Sequence, residues 1–253
     1  MIVTYVRFYE ELNDFLPSRL SKKTLKKELL LPTTVKNLVE SYGVPHTEVD
    51  LILVNGESVS FGHIIVDQDR ISVYPVFESF DITPVKHLQV KPLRDPYFFA
   101  EKYLWKLTRL LRLLGINVIY DDTLTNKQVI ELIVSSKQIL LTRSAQQLMH
   151  GTISRGYCIR ADDPVDQTIE VMKRFDLLGH MLPFSRCMLC NEPIVKISTQ
   201  TVESHLDSKT ASLYTEYFQC SDCKKIYWKG SHYKQLQRYV DQVKSALMNI
   251  IFI

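Results

Sequence analysis

"FFAEKYLWKLTRLLRLLGINVIYDD", residues 98–122, decides the fold. Read at 3.6 residues per turn, 98–114 forms one helix. Leu104, Leu107, Leu111 and Leu114 share a face, and Lys102, Lys106, Arg109 and Arg112 fall opposite. "NVIYD" follows at once as a β-rich strand. The alternation then continues: helix 126–135, strand "QILLT", helix 144–150, strand "GYCIRA", helix 164–175. Helix and strand alternating in this way imply a parallel sheet covered on both faces.

Upstream the pattern differs. "IVTYVRF" (2–8) alternates as a strand, and a lysine-rich loop follows. "TTVKNLVESYGV" then reads as a short helix, capped by Thr34, packed through Val35, Leu38 and Val39, and stopped at Gly43. "DLILVNGESV" is a strand, an Asn-Gly turn and a second strand, and "DRISVYPVF" is a further strand. Strand, helix, hairpin and strand suit a small α+β roll. Residues 81–96, with three prolines and little periodicity, read as a linker.

The chain has 253 residues, 45% apolar and 23% charged, without a low-complexity tract, so it can bury a real core. Its longest apolar runs, such as "LILV" and "IIFI", are too short to span a bilayer. "MIVTYVRFYEEL" lacks the basic and apolar regions of a signal peptide, so a cytoplasmic protein with no membrane association is expected. The net charge of +3 does not by itself mark a nucleic-acid binder.

Of the five cysteines, four form two C-x-x-C pairs, Cys187/Cys190 and Cys220/Cys223. Each pair can place two thiolates on one metal, and two pairs complete a tetrahedral S4 site. "ASLYTEYFQC" reads as a strand entering the second pair, the layout of a zinc ribbon; four unrelated cysteines or a redox pair is the alternative. Four sulfurs leave zinc no open position for water, so its expected role is structural. Cys158, in an apolar strand, reads as core rather than as a reactive thiol.

Two stretches could meet RNA. "KKIYWKGSHYKQLQR" interleaves Lys225, Lys229 and His232 with Tyr227, Trp228 and Tyr233 and contains no acid. Such a stretch either grips phosphates and stacks on bases or is a ribbon strand with a solvated basic rim. The helix row Lys102, Lys106 and Arg109 is open to the same two readings. Metal-dependent nucleases need carboxylates converging on magnesium, and in an open α/β sheet these sit at the carboxyl ends of strands. Those ends supply Asp121, Asp122, Asp162, Asp163 and Asp166 beside Glu101 on the helix flank. After "QILLT", however, stand Arg143 and Ser144, and Asp162 or Asp163 could instead cap the helix beginning near Pro164.

"FFAEKYLWKLTRLLRLLGINVIYDD", "QILLTRS", "ADDPVDQTIEVMKRFDL", "PFSRCMLCNEPI" and "CKKIYWKGSHYKQLQR" resemble the Mut-seven C-terminal RNase domain, a PIN-like family ending in a zinc ribbon. "VRFYEELNDFLP" through "DRISVYPVFESFD" resembles the ubiquitin-like β-grasp domain that often precedes it. The resemblance implies a β-grasp domain at 1–80, a linker at 81–96 and a PIN-like parallel-sheet domain at 97–183. A ribbon at 184–235 and a C-terminal helix or tail at 236–253 complete it. A nuclease site on that fold would use Glu101, Asp122 and Asp163, and the basic and aromatic pattern offers RNA contacts at Lys102, Lys106, Arg109, Arg143, Lys225, Trp228, Lys229, His232 and Tyr233.

Departures from the family's pattern fall on that site. Glu101 stands where the family has Asp, Trp105 where it has Gly, and Ser144 where it has Asp after "LLTR". Thr125, Asn126 and Gln128 replace an acid-rich stretch. A hydroxyl brings no charge to oppose Mg²⁺, and a longer Glu shifts the metal. The expected function is therefore RNA binding on an RNase-like scaffold whose cleavage is weak or lost. The implied partner is RNA, with transfer RNA and ribosome-associated RNA as candidates. The first alternative is an active Mg²⁺- or Mn²⁺-dependent endoribonuclease. The second is an adaptor with a protein partner on the β-grasp domain. "ESFDITPVKH", which carries no Gly-Gly end, argues against carrier or modifier chemistry.

Overall fold

Strand β1 (Ile2–Phe8) sends Thr4, Val6 and Phe8 inward, while Arg7 is exposed on the opposite side. It belongs to a computed structural model that describes residues 1–75, 96–199, 202 and 214–248. After β1 come β2 (Leu25–Leu29), α1 (Val35–Ser41), a 3-10 turn (His46–Glu48), β3 (Leu51–Val54), β4 (Glu57–Ser58) and β5 (Arg70–Tyr74). Beyond residue 95 the elements are β6 (Phe98–Ala100), α2 (Trp105–Leu113), β7 (Val118–Tyr120), α3 (Asn126–Ser136), β8 (Ile139–Thr142) and α4 (Ala145–Leu148). They continue with β9 (Gly156–Cys158), α5 (Pro164–Arg174), β10 (Ile194–Ile197), β11 (Tyr217–Cys220), β12 (Ile226–Trp228) and α6 (Ser231–Met248).

The chain divides into two units, Met1–Arg94 with Leu124–Cys158, and Asp95–Thr123 with Ile159–Ile253. In the first, one sheet runs β2-β1-β5-β3-β4, with β1 and β5 parallel and the other pairs antiparallel. The expected Asn-Gly turn joins β3 to β4, and both Asn55 (φ 52°) and Gly56 (φ 92°) take the left-handed conformation such a turn requires. Thr34 caps α1 by accepting from the Asn37 N–H, and Val35, Leu38 and Val39 pack on Val6, Phe8, Ile52 and Val73. One expectation fails here: the lysine-rich segment is not all loop, because Leu25–Leu29 pairs antiparallel with β1 as an edge strand. Lysine and glutamate are poor strand formers, yet charge is what protects an exposed edge.

The same unit holds α3, β8, α4 and β9, with β8 and β9 parallel as expected. Thr125 and Gln128 form a reciprocal capping box at the start of α3. The 3-10 turn binds this segment. His46 Nδ1 lies 2.7 Å from Glu40 Oε1 and Nε2 lies 2.8 Å from the Ile153 carbonyl. Buried Glu48 accepts from the Cys158 N–H at 2.6 Å. Cys158 itself is buried, in keeping with a core role.

In the second unit β6 and β7 pair in parallel, α2 packs on α5, and α5 packs on α6. The expected helix over 98–114 is corrected: Phe98–Ala100 is a strand, and α2 begins at Trp105. Phe98, Phe99 and Ala100 are all fully buried, and a continuous apolar run without alternation does not distinguish a buried strand from a helix. The leucine face is as read, with Leu104, Leu107, Leu111 and Leu114 buried. Arg112, expected on the solvated face, is buried instead. α2 ends at Gly115 (φ 87°), where a β-carbon would collide with the Leu182 carbonyl of the returning chain. The ribbon strands run β10-β11-β12, antiparallel throughout. The linker reading falls outside the described residues apart from Pro96, and so does "ESFDITPVKH".

Candidate metal centre and nucleic-acid surface

The first C-x-x-C turn precedes β10, and the second begins at the end of β11, so the ribbon's antiparallel pairing brings the two turns together. The turns are built alike: the residue after each second cysteine, Asn191 (φ 76°) and Lys224 (φ 60°), is left-handed. The four Sγ atoms all lie within 4.8 Å of one another, with Cys187–Cys223 at 3.6 Å and Cys190–Cys220 at 3.3 Å. Four sulfurs at the usual ~2.3 Å from zinc would stand about 3.8 Å apart, so the donor set fits a tetrahedral thiolate-binding ion such as zinc. No disulfide competes, since all four cysteines are free. Burial opposes ionisation of Cys187, but the Cys190 N–H, the Tyr227 hydroxyl and the Leu189 N–H prevail and lower its pKa to about 6. Burial pushes Cys190 up to about 12, so that thiol needs a cation to ionise near neutrality.

Three residues that sequence reasoning did not single out as parts of the site surround it. Arg112 donates from Nε to the Val118 carbonyl at 2.9 Å and from a terminal nitrogen to the Leu189 carbonyl inside the first turn. Burial lowers its pKa, while the Cys190 and Cys187 thiolates favour the charged form. A divalent ion with four thiolates carries a net negative charge, and this guanidinium opposes it. Asn191 accepts from the Val118 N–H at 3.3 Å and donates to Asn117 at 2.6 Å. Tyr227 donates its hydroxyl to Cys187 Sγ at 3.0 Å, orienting the ligand in the way outer groups do at metal sites. "CMLCN" held a signal for Asn191, a residue that tolerates positive φ, directly after a metal turn.

The carboxylates are arranged differently. Glu101 lies between β6 and α2, at the carboxyl end of its strand. Asp122 is exposed after β7; burial, and secondarily the Asp122 charge, raises the Tyr120 pKa. Asp121 accepts from the Thr123 hydroxyl and N–H, and those bonds hold its carboxyl below the usual range. Asp163 caps α5, accepting from Val165 and Asp166 N–H groups at 2.8 and 3.3 Å, one of the two capping choices read from the sequence. Ser144 caps α4 by accepting from the Gln147 N–H. Among the described residues, the four cysteines are the one group of three or more candidate ligands close enough to share an ion.

The basic and aromatic residues form two sets. Around the start of α2, Tyr103 is 80% and Trp105 44% exposed. Lys102 Nζ lies 5.6 Å from the Tyr103 ring centre, and Lys106 and Arg109 lie 5.6 and 5.8 Å from that of Trp105. At β12 and α6, Lys225 and His232 are exposed and Trp228 is half-buried. Lys229 pairs with Glu216 at 3.1 Å, and the same carboxylate holds Lys196 at 2.9 Å, so an acid absent from the stretch itself reaches it from outside. Tyr233 packs on Phe184, ring centres 4.8 Å apart, and donates to Gln237. Arg143 is exposed just after β8.

No described helix is long and apolar enough to cross a membrane. Residues 96–240 match the Mut7-C RNAse domain, and residues 1–81 match the Mut7-C ubiquitin domain. No curated protein and no solved structure is significantly similar to the chain. The RNase match spans more than half of the sequence, and the chain belongs to the Mut7-C RNase family, with a ubiquitin-like domain ahead of its RNase domain.

Proposed function

We propose that this protein binds RNA through its RNase-family domain and cleaves it weakly or not at all, with a metal, zinc by its ligand set, held for structure. The observation that carries the binding half is the exposed row Lys102–Arg109, where two aromatic rings each lie against cations. Rings offer stacking faces to unpaired bases, and the cations oppose phosphate charge. Weak cleavage is supported by the carboxylates: Glu101, Asp122 and Asp163 form no shared-ion group among the described residues, and Asp163 is committed to its helix cap. Family membership favours the competing reading, an active metal-dependent endoribonuclease.

The test is fluorescence anisotropy with a labelled single-stranded RNA across a salt series, run beside a cleavage assay with Mg²⁺ and Mn²⁺. Binding should weaken steeply with salt, and Trp105→Ala should cost about 1–3 kcal/mol per lost base stack. Little or no metal-stimulated product should form, and Glu101→Gln should leave RNA affinity unchanged. Robust product with Mn²⁺ that disappears in Glu101→Gln would establish the nuclease instead.

A further inference from the structure

The sheet of the ubiquitin-like domain has two faces of opposite character. Val6, Phe8, Ile71 and Val73 point into the core under α1. The other face carries Tyr5, Arg7 and Tyr9 along β1 and its extension, and Arg70, Ser72 and Tyr74 along β5. Strand register sets the rows: Tyr5 stands between Lys26 of β2 and Arg70 of β5, and Arg7 stands beside Ser72. Arg7, Lys26 and Arg70 are exposed.

These residues are organised rather than scattered. The Arg70 guanidinium lies 5.5 Å from the Tyr5 ring centre, and that of Arg7 lies 5.3 Å from Tyr9. Tyr9 in turn stacks on Tyr74, centres 4.3 Å apart and planes within 14°. A guanidinium held against a ring is preorganised, keeps its charge, and presents a flat surface that itself stacks on a base. Lys26 shares its charge with Glu28 at 2.9 Å, so the two arginines are the strong anion contacts. A cavity of about 430 Å³ adjoins the Tyr9 end, and its lining includes Arg7, Tyr9 and Lys22 together with the carboxylates Glu10, Glu11 and Asp14. Mixed charge there suits a base, whose amino groups donate to carboxylates, better than a phosphate.

We propose that this open sheet face is a second RNA site, taking a single strand with phosphates on Arg7 and Arg70 and bases against Tyr5 and the guanidiniums stacked on Tyr5 and Tyr9. The choice of occupant rests on charge and shape together. An acidic peptide would satisfy the arginines, but its carboxylates bring no planar group to stack on the guanidinium–ring pairs or to enter the adjoining cavity, whereas an unpaired strand supplies phosphate and base at every residue. The proposal rests on the RNA-binding reading above and adds a surface to it.

The experiment uses the full chain and a labelled oligocytidylate, whose bases carry the exocyclic amino donor. Arg7→Ala/Arg70→Ala should lower the slope of log affinity against log salt by roughly 1.4, the loss of two phosphate contacts on a single strand. Tyr5→Ala should weaken binding between about fivefold and 150-fold, and Tyr5→Phe, which keeps the ring, should not. Thermal melts verify folding of each variant, and ultraviolet crosslinking should mark peptides containing Tyr5 or Tyr9. If RNA binds and only Trp105→Ala weakens it, this second site is refuted while the first reading stands. If the wild-type chain binds no RNA, both fall. Displacement of the strand by polyglutamate at equal charge, without dependence on Tyr5, would assign the face to an acidic protein partner instead.

Discussion

Asp163 illustrates how one carboxylate can be read in two ways. In the sequence it follows a strand as a metal ligand would, but its Oδ1 is directed at the first free N–H groups of α5, with Pro164 next to it in the first turn. Asn can make the same cap but brings no charge to a cation. Asp163→Asn is therefore expected to leave the thermal midpoint nearly unchanged, and Asp163→Ala to cost about 1 kcal/mol. Both variants should show the same cleavage level as the parent. A selective loss of metal-stimulated product in Asp163→Asn, with stability intact, would return this residue to a catalytic role. Arg112 teaches the converse lesson: a cation counted as part of a solvated row is buried, and it serves carbonyls beside the thiolates.

At the scale of elements, the 3-10 turn His46–Glu48 is the joint of the first unit. It is only three residues long, yet His46 reaches the Ile153 carbonyl and Glu48 reaches the Cys158 N–H, each more than a hundred residues away in the chain. Glu48 is only 2% exposed, so removing its carboxylate leaves the Cys158 N–H buried without that acceptor. Glu48→Ala is expected to destabilise the protein by about 1–3 kcal/mol, read as a lower denaturant midpoint. Amide exchange should quicken at Cys158 before it quickens in β1. An unchanged midpoint and unchanged exchange at Cys158 would show that the contact carries no net energy.

At the scale of the whole molecule, the four-cysteine cluster leads to the expectation that the ribbon depends on a bound metal more than the ubiquitin-like domain depends on anything bound. The β-grasp core contains Val6, Phe8, Leu12, Leu38, Ile52 and Ile71, all nearly inaccessible. The ribbon strands bury Tyr217 and Cys220 while leaving Val195 half exposed. So small a core is expected to need ligation at its cysteines, since structural zinc sites contribute about 10–16 kcal/mol of apparent binding energy to folding. Removing the metal with a chelator is expected to expose residues 184–199 and 214–230 to limited proteolysis while 1–75 stays protected. Readdition of zinc should restore resistance. Equal protection of both regions with and without chelator would mean the thiol cluster is dispensable for structure.

The strands, most helices and the four-cysteine set were legible because their signals are local. Alternation, capping residues such as Thr34, the Asn55-Gly56 turn and two C-x-x-C spacings each act within a few residues. The edge strand Leu25–Leu29 escaped because pairing with β1, not its own propensity, makes it a strand. Phe98–Ala100 read as helix because complete burial erases the periodicity that separates the two structures. Tertiary structure alone decided that Glu216 neutralises Lys229, that Arg112 turns inward, and that only sulfur atoms converge among the described residues. Such outcomes follow from desolvation and Coulomb energy between groups distant in the chain, quantities that depend on where a side chain comes to rest and are not written in its neighbours.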